Sequence, residues 1–201
     1  MTKVKLCGLR REVDIDYANE LKPDYIGFVF AKKSKRCVTP SDAAALKKRL
    51  APDIKAVGVF VNEEAENIAA LANAGTIDAV QLHGSEDDAY IARLKELTDV
   101  LIIKAFKVQG LEDIKTANES SADLVLLDAG AGDGVTFDWS LLAGVKRPYF
   151  LAGGLAPNNL KTVVEKIKPY GVDASSSLET EGFKDKAKMN AFVNAARGKE
   201  V

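Results

Sequence analysis

Val4-Lys5-Leu6-Cys7-Gly8-Leu9-Arg10-Arg11 opens the chain with an apolar run that stops at a glycine. Such a run reads as a β-strand ending in a turn. The residues after the turn separate two folds. An open dinucleotide-binding sheet wants Gly-x-Gly-x-x-Gly after its first strand, and Gly8-Leu9-Arg10-Arg11 does not supply it. A barrel instead builds its site from side chains at the C-terminal ends of its strands, where Cys7 stands. Period-two alternation puts Lys5 on the same face as Cys7, which in a barrel is the interior.

The rest of the chain repeats the alternation. Strand candidates are Val4–Leu6, Tyr25–Phe30, Ala56–Val61, Ala79–Leu82, Leu101–Phe106, Leu124–Leu127, Tyr149–Ala152 and Val172–Ala174. Helical spacing lies between them, as in Ser41–Leu50, Glu64–Ala74, Asp87–Leu97 and Leu160–Lys168, and Lys184–Arg197 reads as a closing helix. Pro40 just before Ser41 is a helix start signal. Alternating strand and helix implies parallel strands with right-handed crossovers. About eight such units fit an α/β (β/α)8 TIM barrel, with residues 1–201 as a single domain. A doubly wound open sheet is the runner-up.

Composition narrows the class. The 201 residues are 47% hydrophobic, enough for one core. Lys+Arg number 28 and Asp+Glu 29, a net charge of −1 that argues against nucleic acid or an anionic membrane as partner. Cys7 and Cys37 are isolated and there is one histidine, so neither a disulfide framework nor a zinc site is expected. No apolar leader or membrane-length run is present. The expectation is a reduced, cytoplasmic chain.

The strand ends carry the candidate chemistry. Cys7 reads as a base in its thiolate form, or as a small buried hydrophobe. Cys37 fits the second reading better, or is a loop residue. Asp128 ends the sixth strand. An apolar rim disfavours a charged carboxyl, which suits Asp128 to general acid work, although a helix cap or a salt bridge would use the same position. Gly153-Gly154 follows the seventh strand and Ser175-Ser176-Ser177 the eighth. Glycines let backbone amides approach a ligand, and loops after strands 7 and 8 are the usual phosphate grip of such barrels. Each could also be an ordinary turn. Asp173 faces the interior beside Lys5 if strand 8 closes on strand 1, and a Lys5–Asp173 pair is expected beneath the site. His83 sits at the fourth strand end, as a structural group or a substrate contact. Arg36 follows the second strand within Lys32-Lys33-Ser34-Lys35-Arg36, as part of a solvated basic run or as a fork for a carboxylate.

The ordered set resembles the phosphoribosylanthranilate isomerases of tryptophan biosynthesis over nearly the whole chain. It comprises Lys5–Leu9, Val57–Asn62, Val80–Gly84, Leu127-Asp128-Ala129 with Gly134 and Phe137-Asp138-Trp139, Leu151–Leu155, and Gly171-Val172-Asp173 with Ser175-Ser176. The resemblance implies a (β/α)8 barrel performing an Amadori rearrangement of N-(5-phosphoribosyl)anthranilate. It makes Asp128 the general acid and Cys7 the general base. It sets Arg36 against the anthranilate carboxylate and puts the phosphate on backbone amides around Gly154 and Ser175-Ser176. It implies a small phosphosugar substrate, no cofactor, and a monomer or homodimer. Arg10, Lys35, Ala131, Asp133 and Ser177 depart from that family's common pattern. The histidine-pathway isomerase, whose first strand ends in aspartate, and a silent phosphosugar-binding barrel are the competing readings.

Overall fold

The computed structural model describes residues 2–128, 130 and 138–199. Among these, eight parallel strands close into a barrel: β1 (Lys3–Cys7), β2 (Tyr25–Val29), β3 (Lys55–Phe60), β4 (Ala79–Leu82), β5 (Leu101–Lys107), β6 (Leu124–Asp128), β7 (Tyr149–Ala152) and β8 (Gly171–Ala174). The ring runs in sequence order and β1 pairs with β8. The open-sheet alternative is thereby excluded. Half of the expected strand limits shift by one residue and the rest stand, which is ordinary fraying of an element end.

Period-two alternation sorts each strand between two cores. Val4, Leu6, Val80, Leu82, Val125 and Leu127 face outward and pack with helical residues such as Ile15, Ile68 and Leu160. Val57, Ala79, Ile103, Leu126 and Phe150 fill the barrel interior, with Cys7, Val29 and Val59 forming an upper layer. Phe150 seals the lower end edge-on between Tyr25 and Tyr170, each 5.4 Å away between ring centres.

The helices are α1 (Glu12–Leu21), α2 (Pro40–Arg49), α3 (Ala65–Asn73), α4 (Asp88–Leu97), α5 (Leu111–Glu119), α6 (Pro157–Ile167) and α7 (Lys186–Ala196). Helix α2 begins one residue before the expected start. Thr39 is its cap, accepting from the Asp42 N–H at 3.1 Å, and Pro40 takes the first turn, where its missing N–H costs nothing. The closing helix starts at Lys186 rather than Lys184, because Asp185 caps it by accepting from the Lys188 N–H at 3.1 Å. Lys184 instead lies in a short antiparallel hairpin, β9 (Glu179–Thr180) with β10 (Phe183–Lys184). Between β6 and β7 the described residues hold only a 3-10 helix, Trp139–Gly144. Pro148 stands four residues beyond it, and a proline pushes the residue before it out of the helical region. No helix among the described residues is long and apolar enough to cross a membrane.

Candidate active site

A cavity of about 830 Å³ opens at the C-terminal ends of the strands. Nine residues singled out from the strand ends line it: Cys7, Arg36, His83, Asp128, Gly153, Gly154, Asp173, Ser175 and Ser176. Ser177, the last of the serine run after the eighth strand, is not among the lining residues. Ala129, Ala131, Asp133, Gly134 and Phe137, which carry part of the sixth-strand motif and its departures, lie outside the described residues. Cys37 is exposed and so is a loop residue, not a buried hydrophobe.

Cys7 is buried at the cavity wall. Its room comes from the neighbouring strand: Cys7 pairs with Gly27, where a β-carbon would stand 2.6 Å from the thiol sulfur. Two residues down, Lys5 is wholly buried and registers against Asp173, donating to its carboxylate at 2.8 Å. The pair expected beneath the site is present. Burial alone would lower the Lys5 pKa, but the Asp173 carboxylate, with the thiolate form of Cys7 adding to it, overcomes that and raises it. At Cys7 the balance runs the other way. Burial pushes the thiol above its ordinary value, and the Lys5 and Lys184 ammonium groups only partly pull it back. The resting residue is therefore a thiol whose thiolate has two cations to stabilise it.

Asp128 stands half-buried on the opposite wall, where its carboxylate accepts the Gly130 N–H at 2.9 Å. Between the two walls lie the turns after β7 and β8, since β6, β7, β8 and β1 are consecutive in the ring. Gly153 and Gly154 both have positive φ, +83° and +62°, a backbone path that side chains resist. Ser175 precedes a 3-10 turn, Ser176–Leu178, and spends its hydroxyl on the Cys7 carbonyl at 3.1 Å. What Ser175 can offer a ligand is therefore its backbone.

His83 opens to the cavity and is paired through Nδ1 with the Gln81 amide at 2.9 Å. Loss of water around the ring lowers its pKa, so it is a neutral imidazole near pH 7. Arg36 is engaged by protein: its Nε and Nη2 donate to Glu179 at 2.6 and 2.7 Å. Three lining or supporting residues escaped the sequence reading. Gln81 is buried, and its carbonyl oxygen has no described partner at the cavity floor. Alternation with His83 was the available signal. Glu179 and Lys184 come from the hairpin after β8, a segment with no periodicity to mark it.

The arrangement offers a thiol and a carboxyl on facing walls, with amide-rich turns between them and an arginine beyond. That set suits proton transfer on an anionic substrate. A family model described as N-(5'phosphoribosyl)anthranilate (PRA) isomerase matches residues 4–195. The N-(5'-phosphoribosyl)anthranilate isomerase of Acetivibrio thermocellus is 46% identical over 211 residues, spanning 98% of this chain and 96% of that one. The crystal structure of phosphoribosyl anthranilate isomerase from Thermotoga maritima superposes with a TM-score of 0.89 at 37% identity, covering 98% of this chain and all of the other (100%). A crystal structure of such an isomerase in complex with reduced 1-(o-carboxyphenylamino)-1-deoxyribulose 5-phosphate gives a TM-score of 0.86 at 37% identity, with 98% and 100% coverage.

Proposed function

This chain belongs to the N-(5'-phosphoribosyl)anthranilate isomerase family, and from that premise we propose that it converts N-(5-phosphoribosyl)anthranilate to 1-(2-carboxyphenylamino)-1-deoxyribulose 5-phosphate in tryptophan biosynthesis. Asp128 acts as general acid. It protonates the ribose ring oxygen while the anthranilate nitrogen pushes electrons into C1, and the ring opens to an iminium. Cys7, as thiolate, then takes the C2 proton. The C–H electrons form the C1–C2 double bond, and the iminium nitrogen is the electron sink. The resulting enol ketonises by gaining a proton at C1 and losing one from its C2 hydroxyl, so no net proton is consumed.

The remaining lining residues hold the substrate. Amides around Gly153-Gly154 and Ser175-Ser176 take the phosphate, and Arg36 takes the anthranilate carboxylate. His83 and Asp173 contact the sugar. One observation carries this reading: Cys7 and Asp128 open onto the same cavity from opposite ends of a four-strand arc whose middle is the pair of amide-rich turns. An acid and a base on either side of an anchored sugar phosphate is what an aldose–ketose isomerisation needs.

The test is the decay of anthranilate fluorescence as substrate is converted. Cys7→Ser and Asp128→Asn should each slow turnover by about 10²–10⁴-fold with a modest change in KM. Near-full activity in either variant refutes its assignment.

A further inference from the structure

The hairpin after β8 reaches both ends of the mouth. The Glu179 carboxylate takes Arg36 in a two-point fork, Nε to Oε1 at 2.6 Å and Nη2 to Oε2 at 2.7 Å. Its Oε1 also accepts the Lys184 ammonium at 2.6 Å. Lys184 is buried and donates in turn to the Ser175 carbonyl at 2.9 Å. One chain of contacts thus runs from the arginine assigned to the carboxylate to the turn assigned to the phosphate.

Each link constrains a donor. A guanidinium presents a side edge, Nε with Nη2, and an end edge, Nη1 with Nη2. Glu179 occupies the side edge, and no described residue takes Nη1. The stem of Arg36 crosses Gly8, where a β-carbon would strike its Cδ. The head is therefore fixed with one edge left for a second carboxylate. At the other end, the carbonyl and the following N–H of a trans peptide point in opposite directions. The Ser175 carbonyl accepts the Leu178 N–H of the 3-10 turn at 3.1 Å as well as Lys184, and with the carbonyl held from both, the Ser176 N–H is turned the other way. The hairpin itself is pinned to the turn after β1. Arg11 donates to the Lys184 carbonyl at 2.9 Å and Arg10 to the Gly182 carbonyl at 3.2 Å, and both guanidiniums sit over the Phe183 ring at 4.7 and 4.9 Å.

We propose that Glu179 and Lys184 are paired positioning residues. Glu179 presets Arg36 for the substrate carboxylate, and Lys184 presets the Ser175–Ser176 peptide for the phosphate. Their ion pair ties the two ends of the substrate site together. The inference rests on the roles proposed above for Arg36 and the serine turn. The opposite relation, in which Glu179 competes with the substrate for Arg36, reverses the sign of the effect.

Two ligands separate these outcomes by titration calorimetry: reduced 1-(o-carboxyphenylamino)-1-deoxyribulose 5-phosphate, and the same compound without its ring carboxylate. Their Kd ratio isolates the carboxylate, and binding of the second confirms a folded site in each variant. Arg36→Met should collapse the ratio. Glu179→Gln should shrink it by on the order of tenfold, raising KM with kcat nearly unchanged, because a charge-assisted contact is misaimed. Glu179→Asp, which keeps the charge but shortens the reach, should shrink it as well. A ratio unchanged or enlarged in both Glu179 variants, with Arg36→Met collapsed, overturns the role of Glu179 alone. A ratio unchanged in Arg36→Met overturns the carboxylate assignment beneath it. Lys184→Met should weaken inhibition by inorganic phosphate, and an unchanged inhibition constant overturns the Lys184 half.

Discussion

The surroundings of Cys7 are set by neighbours on both adjacent strands. Gly27 on β2 leaves space for the sulfur, and Asp173 on β8 holds Lys5 beneath it. The thiol is pushed up by burial and pulled down by Lys5. In the role of base proposed for it, a thiol held above its ordinary value gains thiolate with every rise in pH through the neutral range, so kcat/KM should climb with pH there. Lys5→Met removes the nearer cation while Asp173 remains, and should move that rising limb to higher pH. An unchanged profile would sink the idea. The same substitution leaves Asp173 buried without its partner, which costs about 3–5 kcal/mol and should appear as a lower thermal midpoint.

At the scale of elements, legibility followed periodicity. All eight strands were readable because most of their outward and inward positions are apolar, giving short runs such as Leu124–Leu127, with Lys5, Gln81 and Asp173 as inward exceptions. The candidate site was readable because chain order places one reactive or turn-forming residue after each of several strands. The hairpin Glu179–Lys184 was not, since two-residue strands carry no period and Lys184 merges into the helical spacing beyond it. Nor was the clamp on the turn after β4. There, Glu86 accepts the Asn62 N–H at 2.7 Å with one oxygen. Its other oxygen accepts the Gly84 N–H and the Lys104 ammonium, each at 2.9 Å. Lys104 also donates to the Gly84 carbonyl at 2.7 Å. These bonds join the turns after β3 and β4 beside His83. Only their meeting in space gives Glu86 a meaning, because nothing in Ser85-Glu86-Asp87 distinguishes it from a solvated acid. Glu86→Ala strands Lys104 in the protein interior and should cost about 3–5 kcal/mol in urea unfolding. A loss within the scatter of surface substitutions would show that the clamp is idle.

The molecule as a whole spends buried charge on its mouth. Lys5–Asp173 and Arg36–Glu179–Lys184 each put one residue on the cavity wall, and Lys104–Glu86 holds the turn whose Gly84 also lines it. Burial alone would raise the carboxyls of Glu86 and Glu179. Lys104 lowers the first, and Arg36 with Lys184 the second, to below the ordinary 4.5. Groups that hold protons less tightly when folded stabilise the fold fully above their unfolded value. They lose that contribution as pH falls through the lower, folded one. His83, whose imidazole burial also lowers, follows the same rule from its higher ordinary value of 6.5. The thermal midpoint should therefore begin to fall just below neutrality and fall further below roughly pH 5. A midpoint level down to roughly pH 3 would deny these networks a role in stability.

We propose a division of labour around the ring, with ring opening at Asp128 and C2 proton removal at Cys7. Deuterium at C2 of the substrate tests it most directly, read as the isotope effect on kcat in the two variants. Cys7→Ser makes proton removal rate-limiting and should show a primary effect, whereas Asp128→Asn makes ring opening limiting and should show an effect near unity. Equal effects in both variants, or a primary effect confined to Asp128→Asn, would contradict the assignment.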